Sequence, residues 1–456
     1  MKNNPFFKSL MAITFLFAIM FSAPALTGQN PFQERFVPVT QITDVTTTAF
    51  AGTSITLSGI VVPANATGQH IIWSIDPKQQ KLPAGPIGPI SVKESSLKSN
   101  ILKVGSAGTI TVWATIKGGK SKSKREEDYT QMFVIQVVNL PGSKNGHFYG
   151  NGINGDPYLI VNEEDLRQLS ELINAGTAPY ANQGTCYRLV ASFTMFGGSF
   201  KPIGTDQSFK GHFDGNHQTI TNPQISNEKS YTGLFGLVQN GTIKNLGLVD
   251  VNINGIDNTG GVAGALVGVG ASITGCYVTG HIFSTGSKVG GIVGMKLEPV
   301  SNCYTTCSVY ATSGTHVGGI AGESLKGISN CWSSSEIGSR NNGGGIVGRA
   351  DTDIVRCMAL NPFVGANGGN FVGRVSGGNG TFQRECVAWE KMKVNDAIIS
   401  GAGSADSKDG LSINVRRQIS IATYVNTYCP SPAWSRQTGM LPGFRGNCVP
   451  LPSYLQ

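Results

Sequence analysis

The chain writes one short glycine phrase six times: TGLFG at 232–236, GGVAG at 260–264, GGIVG at 290–294, GGIAG at 318–322, GGIVG at 344–348 and, degenerate, GNFVG at 369–373. Its closing glycines, Gly236, Gly264, Gly294, Gly322, Gly348 and Gly373, are spaced by 28, 30, 28, 26 and 25 residues. Self-similarity at a period of roughly 20–50 residues marks a solenoid, in which each unit buries its apolar side only against its neighbours. Glycines are needed where the backbone of one coil presses on the next. The apolar residue inside each phrase, such as Val262, Ile292, Ile320 or Ile346, is expected to face the interior. With coils ~4.8 Å apart, roughly seven to nine of them make a rod about 35–45 Å long.

A second phrase follows each glycine phrase: IKNL (243–246), ITGC (273–276), VSNC (300–303), ISNC (328–331) and IVRC (354–357). Its last position is Leu246, then Cys276, Cys303, Cys331, Cys357 and, one unit later, Cys386. A site that takes Leu or Cys alike is small, buried and apolar, because a free thiol packs as a hydrophobe. These cysteines are therefore expected to stack as an inert ladder. The spacing leaves Cys429 and Cys448 as a disulfide pair and assigns nothing to Cys186 or Cys307.

Outside the repeats the chain changes character. Met11–Phe21 is an apolar stretch behind Lys2 and Lys8, with Ala23-Pro24-Ala25 after it, so 1–25 reads as an export signal. The stretch is short for a membrane span, and no comparable run follows. No cysteine stands at the cleavage site to carry a lipid. The expected location is the cell surface, the medium or the periplasm.

Short β-branched stretches at Val37–Thr43, Ser54–Val62, Ile71–Ile75, Ile101–Val104, Thr109–Ile116 and Met132–Val138, separated by Gly, Pro and Asn clusters, predict a β-sandwich over 36–140. The stretches VPANATGQHIIWSI (62–75) and SAGTITVWATI (106–116) resemble bacterial immunoglobulin-like domains of the group 2 type. That resemblance makes Trp73 a core residue and the module a spacer or adhesion unit. The run Lys117, Lys120, Lys122, Lys124 and Arg125, followed by Glu126, Glu127 and Asp128, reads as a solvated hairpin tip. Without interleaved aromatics it gives no sign of nucleic acid binding.

Pro141–Asn151 reads as a linker, and 163–175 as a helix. Asn162 suits its N-cap, Glu163, Glu164 and Asp165 its positive end, and Gly176 its terminus. Leu166, Leu169, Leu172 and Ile173 form its apolar stripe. A helix placed there covers the open edge of the first coil. Over roughly 150–390 the register of both phrases, with FKPIGTDQSFKGHFDGNHQTITNPQIS at 200–226 before them, resembles the GLUG-motif family of bacterial exported proteins. The resemblance implies a right-handed parallel β-helix over 148–386. It also implies a surface protein, since GLUG repeats occur in such proteins and beside the peptidase unit of some immunoglobulin A proteases. Residues 387–456 lose the period and are expected to be an irregular segment closing the last coil. The fold class expected is all-β.

Catalysis finds little support in the residues. Glycoside cleavage uses two carboxylates roughly 5–10 Å apart, but Asp250, Asp257, Glu298, Glu323 and Glu336 fall at unrelated positions in their repeats. Asp206, His212, Asp214 and His217 lie close together in sequence. They are a candidate acid–base or metal group, set against a turn reading for Phe213–Asn216. None of the six histidines belongs to an H-E-x-x-H motif. No catalytic, cofactor or metal site is therefore assigned. The expectation is a non-enzymatic structural or adhesive protein presenting a face to a glycan or protein partner, not to nucleic acid. Asn252, Asn254, Thr259, Ser284, Thr285, Thr312 and Ser334 are its candidate exposed hydrogen-bonding groups. A polysaccharide lyase or hydrolase, or an accessory module to a separate peptidase, is the alternative.

Overall fold

The computed structural model describes residues 36–76, 95–121, 127–140, 144, 146–366, 371–378, 383–401, 403–414 and 431–456. The expected signal segment 1–25, the tip residues Lys122, Lys124, Arg125 and Glu126, and Cys429 all lie outside them. Pro38–Gln456 forms one compact unit.

The repeats wind as a parallel β-solenoid. One complete coil runs Thr259–Gly260, Ala263–Val267, Ser272–Thr274 and Tyr277–Ser284, and each of its strands pairs in parallel with its counterpart in the coil before and after. Four faces result. The A face stacks nine strands, from Tyr158–Ile160 to Gln383–Arg384. The B face is a 14-stranded sheet, and the C and D faces have five strands each.

The glycine phrase occupies the corner between the D and C faces, and its chemistry follows from the stacking. A Cβ on Gly264 would strike the backbone of Tyr231 and Thr232. The same atom on Gly294 would strike Asn258 and Thr259, on Gly322 Lys288 and Val289, and on Gly348 His316 and Val317. These four closing glycines therefore lie against the start of the D strand of the preceding coil, where any side chain would displace main chain; Gly373 does not, because it pairs in register with Gly344 on the D face itself. Between the glycines, Val262, Ile292, Ile320 and Ile346 are wholly buried, as expected. Full burial of one such side chain is worth roughly 1.5–3 kcal/mol.

The corner between the A and B faces explains the second phrase. Asn245, Asn302 and Asn330 stand there with φ of 56°, 51° and 52°, a left-handed conformation that Asn tolerates well. The next residue turns inward: Leu246, Cys276, Cys303, Cys331, Cys357 and Cys386 are each wholly buried, and all five cysteines are free thiols. Their S–H groups donate to local carbonyls, Cys303 to Ser301 O and Cys331 to Ser329 O at 3.2 Å each. Cys307 is buried too, donating to Val278 O.

Among the described residues one α-helix, α1 (Glu163–Asn174), precedes the complete coils. Asn162 caps it through Asp165 N–H at 2.9 Å, and Leu166, Leu169, Leu172 and Ile173 join the solenoid core. The preceding stretch is more than a linker. Phe148 is wholly buried among Tyr158, Tyr180 and Tyr187.

At the N-terminal end, a four-stranded sheet (Thr48–Phe50, Ile72–Ile75, Gly108–Ser121, Glu127–Val138), a three-stranded sheet (Ser54–Thr56, Ser96–Lys98, Ile101–Lys103) and the pair Gln41–Thr43/Ile60–Val62 share one core. Ile55, Leu57, Trp73, Leu102, Val112 and Ile135 are buried in it. This layer docks on the first coils. Thr56 N–H donates to Gln218 Oε1 at 2.6 Å, and Thr56 and Ser192 share a hydroxyl contact at 2.6 Å.

The expectation for 387–456 is corrected. Val387–Trp389 and Leu411–Ile413 continue the B face as regular rungs. Residues 431–456 do not cap the last coil. They form an antiparallel sheet of Trp434–Ser435, Met440–Phe444 and Asn447–Pro450 that runs back along the flank. The cause is an aromatic column immediately after the cysteines, where Tyr277, Tyr304 and Trp332 stack rung upon rung. Their centroids are 4.9 and 4.5 Å apart and their planes within 4°. Trp434 and Phe444 cover this column.

Candidate functional site

A hollow of about 740 Å³ lies outside the A face on three successive rungs: Cys186–Leu189, His212–Asp214 and Thr242–Lys244. Strand alternation builds it. Tyr187, Phe213 and Ile243 point into the core, at most 1% exposed. Their neighbours point out in two registered columns, Cys186–His212–Thr242 and Arg188–Asp214–Lys244. Asn151–Pro157 and Pro179–Thr185 contribute the walls. Those walls are tied down: Cys186 N–H donates to Gly152 O at 2.8 Å, Gly184 N–H to Lys210 O at 2.9 Å, and Asn151 Nδ2 to Asp156 Oδ2 at 2.6 Å.

The lining mixes polar and apolar groups, and its one carboxylate among the described residues is Asp214. Its Oδ1 accepts from Asn216 N–H at 2.9 Å and from Asn245 Nδ2 at 3.2 Å. Its Oδ2 lies 3.7 Å from Arg188 Nη2 and 3.5 Å from Lys244 Nζ. His212 Nδ1 contacts Thr242 Oγ1 at 2.9 Å. Burial raises the Cys186 thiol above its ordinary range, with the Lys244 charge opposing it. Two-carboxylate chemistry has no second member among the described lining residues.

The structure separates the four residues that the sequence groups together. His212 and Asp214 face the groove. Asp206 sits in its own ion pairs with Lys201 at 2.6 Å and Lys229 at 2.7 Å, which hold its carboxyl below the usual range. His217 turns away to Arg445, at 3.4 Å. The Asp214–Asn216 hydrogen bond and positive φ at Asn216 and His217 make the segment a turn. Among the described residues no group of three or more His, Cys, Asp or Glu could hold a metal.

Two candidate exposed groups are corrected. Thr259 and Ser284 are wholly buried: Thr259 starts a D strand, and Ser284 Oγ donates to Ile256 O. Asn252, Asn254, Thr285 and Thr312 are exposed, and Ser334 is half-buried. The acidic residues of the repeats are engaged locally. Glu298 pairs with Lys326 at 3.0 Å, and Glu323 with Lys288 at 2.8 Å and Arg349 at 3.4 Å. Arg188, Thr242 and Lys244 were not singled out by the sequence reading. Aligning successive units on their inward residues, Tyr187, Phe213 and Ile243, would have found them.

A second hollow, about 230 Å³, adjoins the first. It is lined in part by Asn245, Thr274, Asn302, Trp434 and Arg445. Asn245 follows Lys244 in the chain, and Thr274 is the register partner of Lys244, so the two hollows meet on the same rungs. Among the described residues, no helix is long and apolar enough to cross a membrane.

Known proteins resemble the chain in sequence in one case and in fold in another. No family model matches the chain. It is 29% identical over 226 residues to halomucin of Haloquadratum walsbyi, covering 46% of this chain but only 2% of halomucin's length. The solenoid also resembles the crystal structure of a Bacteroides ovatus protein provisionally named an immunoglobulin A1 protease. There the TM-score is 0.55 at 24% identity, over 65% of this chain and 94% of that one. The structural likeness bears on the fold alone.

Proposed function

We propose that this chain is an exported surface protein that binds glycans in the A-face groove without turning them over. In this reading the solenoid is a GLUG-type β-helix, and the N-terminal layer is an immunoglobulin-like spacer holding it off the surface. The observation that carries the proposal is the groove itself: a hollow of about 740 Å³ walled by Asn151, Asn154, Asn182 and Gln183, floored by Thr242 and His212, with one carboxylate. Amides in the walls and a hydroxyl and an imidazole on a rigid three-rung floor suit the many hydroxyls of a sugar, and ordered sites of this kind need little rearrangement on binding. The name of halomucin supports a surface role, and the name of the Bacteroides ovatus neighbour supports export.

A glycan array on the purified chain tests the reading, with product analysis of every sugar that binds. Binding without released fragments is expected, and Thr242→Trp, which fills the groove from an outward position, is expected to abolish it. Released oligosaccharide that disappears in Asp214→Asn would establish the enzyme instead. Equal binding by Thr242→Trp would place the site elsewhere.

A further inference from the structure

Resting on that glycan-binding reading, we infer that the groove selects acidic glycans, gripping a carboxylate or sulfate between Arg188 and Lys244. The two cations stand one rung either side of Asp214, which puts their Cα atoms roughly 9–10 Å apart. Their side chains are half-exposed, 48% for Arg188 and 50% for Lys244, whereas Asp214 is 19% exposed.

The hydrogen bonding decides which partner is spoken for. One oxygen of Asp214 is committed to Asn216 N–H and Asn245 Nδ2. The other faces both cations at 3.7 and 3.5 Å, beyond normal charge-assisted hydrogen-bond length. Asp214 thus holds two positive groups over the groove floor by attraction and leaves their N–H donors to a ligand. With Asp214 the one carboxylate of the lining, the groove carries a net positive charge. A planar guanidinium matches a carboxylate or a sulfate through two parallel bonds, and an ammonium adds a point charge beside it. The chain's net charge of +8 adds long-range attraction for polyanions. Neutral sugars meet the same amides and hydroxyls but leave both cations unpaired.

The experiment is titration calorimetry of the full chain with three probes: tetragalacturonate, which carries only carboxylates, a sulfated galactotetraose without carboxylate, and neutral galactotetraose. At low salt at least one acidic probe is expected to bind about tenfold or more tightly than the neutral one. That advantage should shrink as salt rises. Arg188→Gln and Lys244→Gln should each weaken acidic binding several-fold, and the double variant should bring acidic and neutral binding level. The carboxylate and sulfate arms then say which anion the clamp prefers. Neutral binding equal to acidic binding, or an acidic preference that survives in the Arg188→Gln/Lys244→Gln double variant, overturns the acidic selectivity alone. If none of the three probes binds, the glycan-binding reading falls with it.

Discussion

Tyr304 and Trp332 stack face to face on successive rungs, with ring centroids 4.5 Å apart and planes 2° from parallel. Tyr277 extends the stack below, and Phe444 lies 5.4 Å from the Tyr304 ring. The column therefore does two jobs: it ties three coils together, and it anchors the returning C-terminal sheet. Tyr304→Ala removes the middle ring. A loss of about 3–5 kcal/mol is expected, as for large aromatic truncations in a core, read by chemical denaturation. Limited proteolysis should then cut first within 431–456. Tyr304→Phe keeps the ring and should protect that segment; equal cleavage in both variants would show that the column is not the anchor.

The glycine phrase makes a sharper prediction, because one atom separates the variants. A Cβ on Gly322 meets the main chain of Val289 and Lys288, whereas on Gly327 its nearest neighbour is Asp353 O at 3.9 Å. Gly322→Ala must push two coils apart and should destabilise strongly, through the overpacking that costs about 1–3 kcal/mol even when side chains can yield. Gly327→Ala should stay within about 0.5 kcal/mol of the parent. Similar melting temperatures for the two would contradict the stacking role. At the same corner, Ile320→Asp buries an unpaired charge and should erase the β signal in circular dichroism, where Ile320→Val costs only about 0.5–1.5 kcal/mol.

Those two features were legible in the sequence for one reason: stacking forces the same residue type into the same place in every coil. Gly264 through Gly348 recur because backbone meets backbone, and Cys276 through Cys386 recur because one inward site stays small. The aromatic column carried the same signal, since Tyr277, Tyr304 and Trp332 each follow a ladder cysteine. The groove was not legible, because it breaks the pattern. Its floor belongs to the first coils, where 200–226 inserts a different turn, and its walls come from 151–157 and 179–185, outside the repeat. Nearness in sequence misled as well. His212 and His217 are five residues apart, yet the turn at Asn216 sends them to different hollows.

The thiols give a simple chemical test of the ladder. Cys276, Cys303, Cys331, Cys357 and Cys386 are buried, while Cys186 is half-buried at the groove. A maleimide applied to the native chain should label Cys186, slowly because burial raises its thiol, and leave the five ladder residues unmodified. Mass spectrometry after a short pulse reads this directly. Unfolding in denaturant should expose all six. Rapid native labelling of Cys331 would mean that the coils open far more readily than a packed solenoid allows. A ligand in the groove should also shield Cys186, which ties this readout to the binding site.

The seam joining the N-terminal layer, the first coils and the C-terminal sheet is pH-sensitive in a direction that the geometry fixes. Arg445 donates to Ser58 Oγ at 3.0 Å, pairs with Asp44, and stands 3.4 Å from His217 Nε2. Burial first, then the Arg445 charge, lower the His217 pKa from 6.5 to about 4, with Asp214 and Asp44 pulling the other way and Lys244 reinforcing the fall. The unfolded chain therefore takes up a proton as pH drops through 6.5, while the native chain refuses it until about 4. Stability from this residue is complete above 6.5 and is lost as pH falls toward 4, by up to about 3 kcal/mol. His70, also lowered by burial, adds to the slope, and carboxylates enter below about 5. The useful quantity is thus the difference between parent and variant from pH 6.5 to 5, where His217→Gln should flatten the urea-midpoint profile by roughly 2 kcal/mol. Arg445→Gln should flatten it less, because burial remains after the charge is gone. An unchanged slope in His217→Gln would mean that the imidazole is hydrated in the native seam, and that Arg445 holds the three parts together without it.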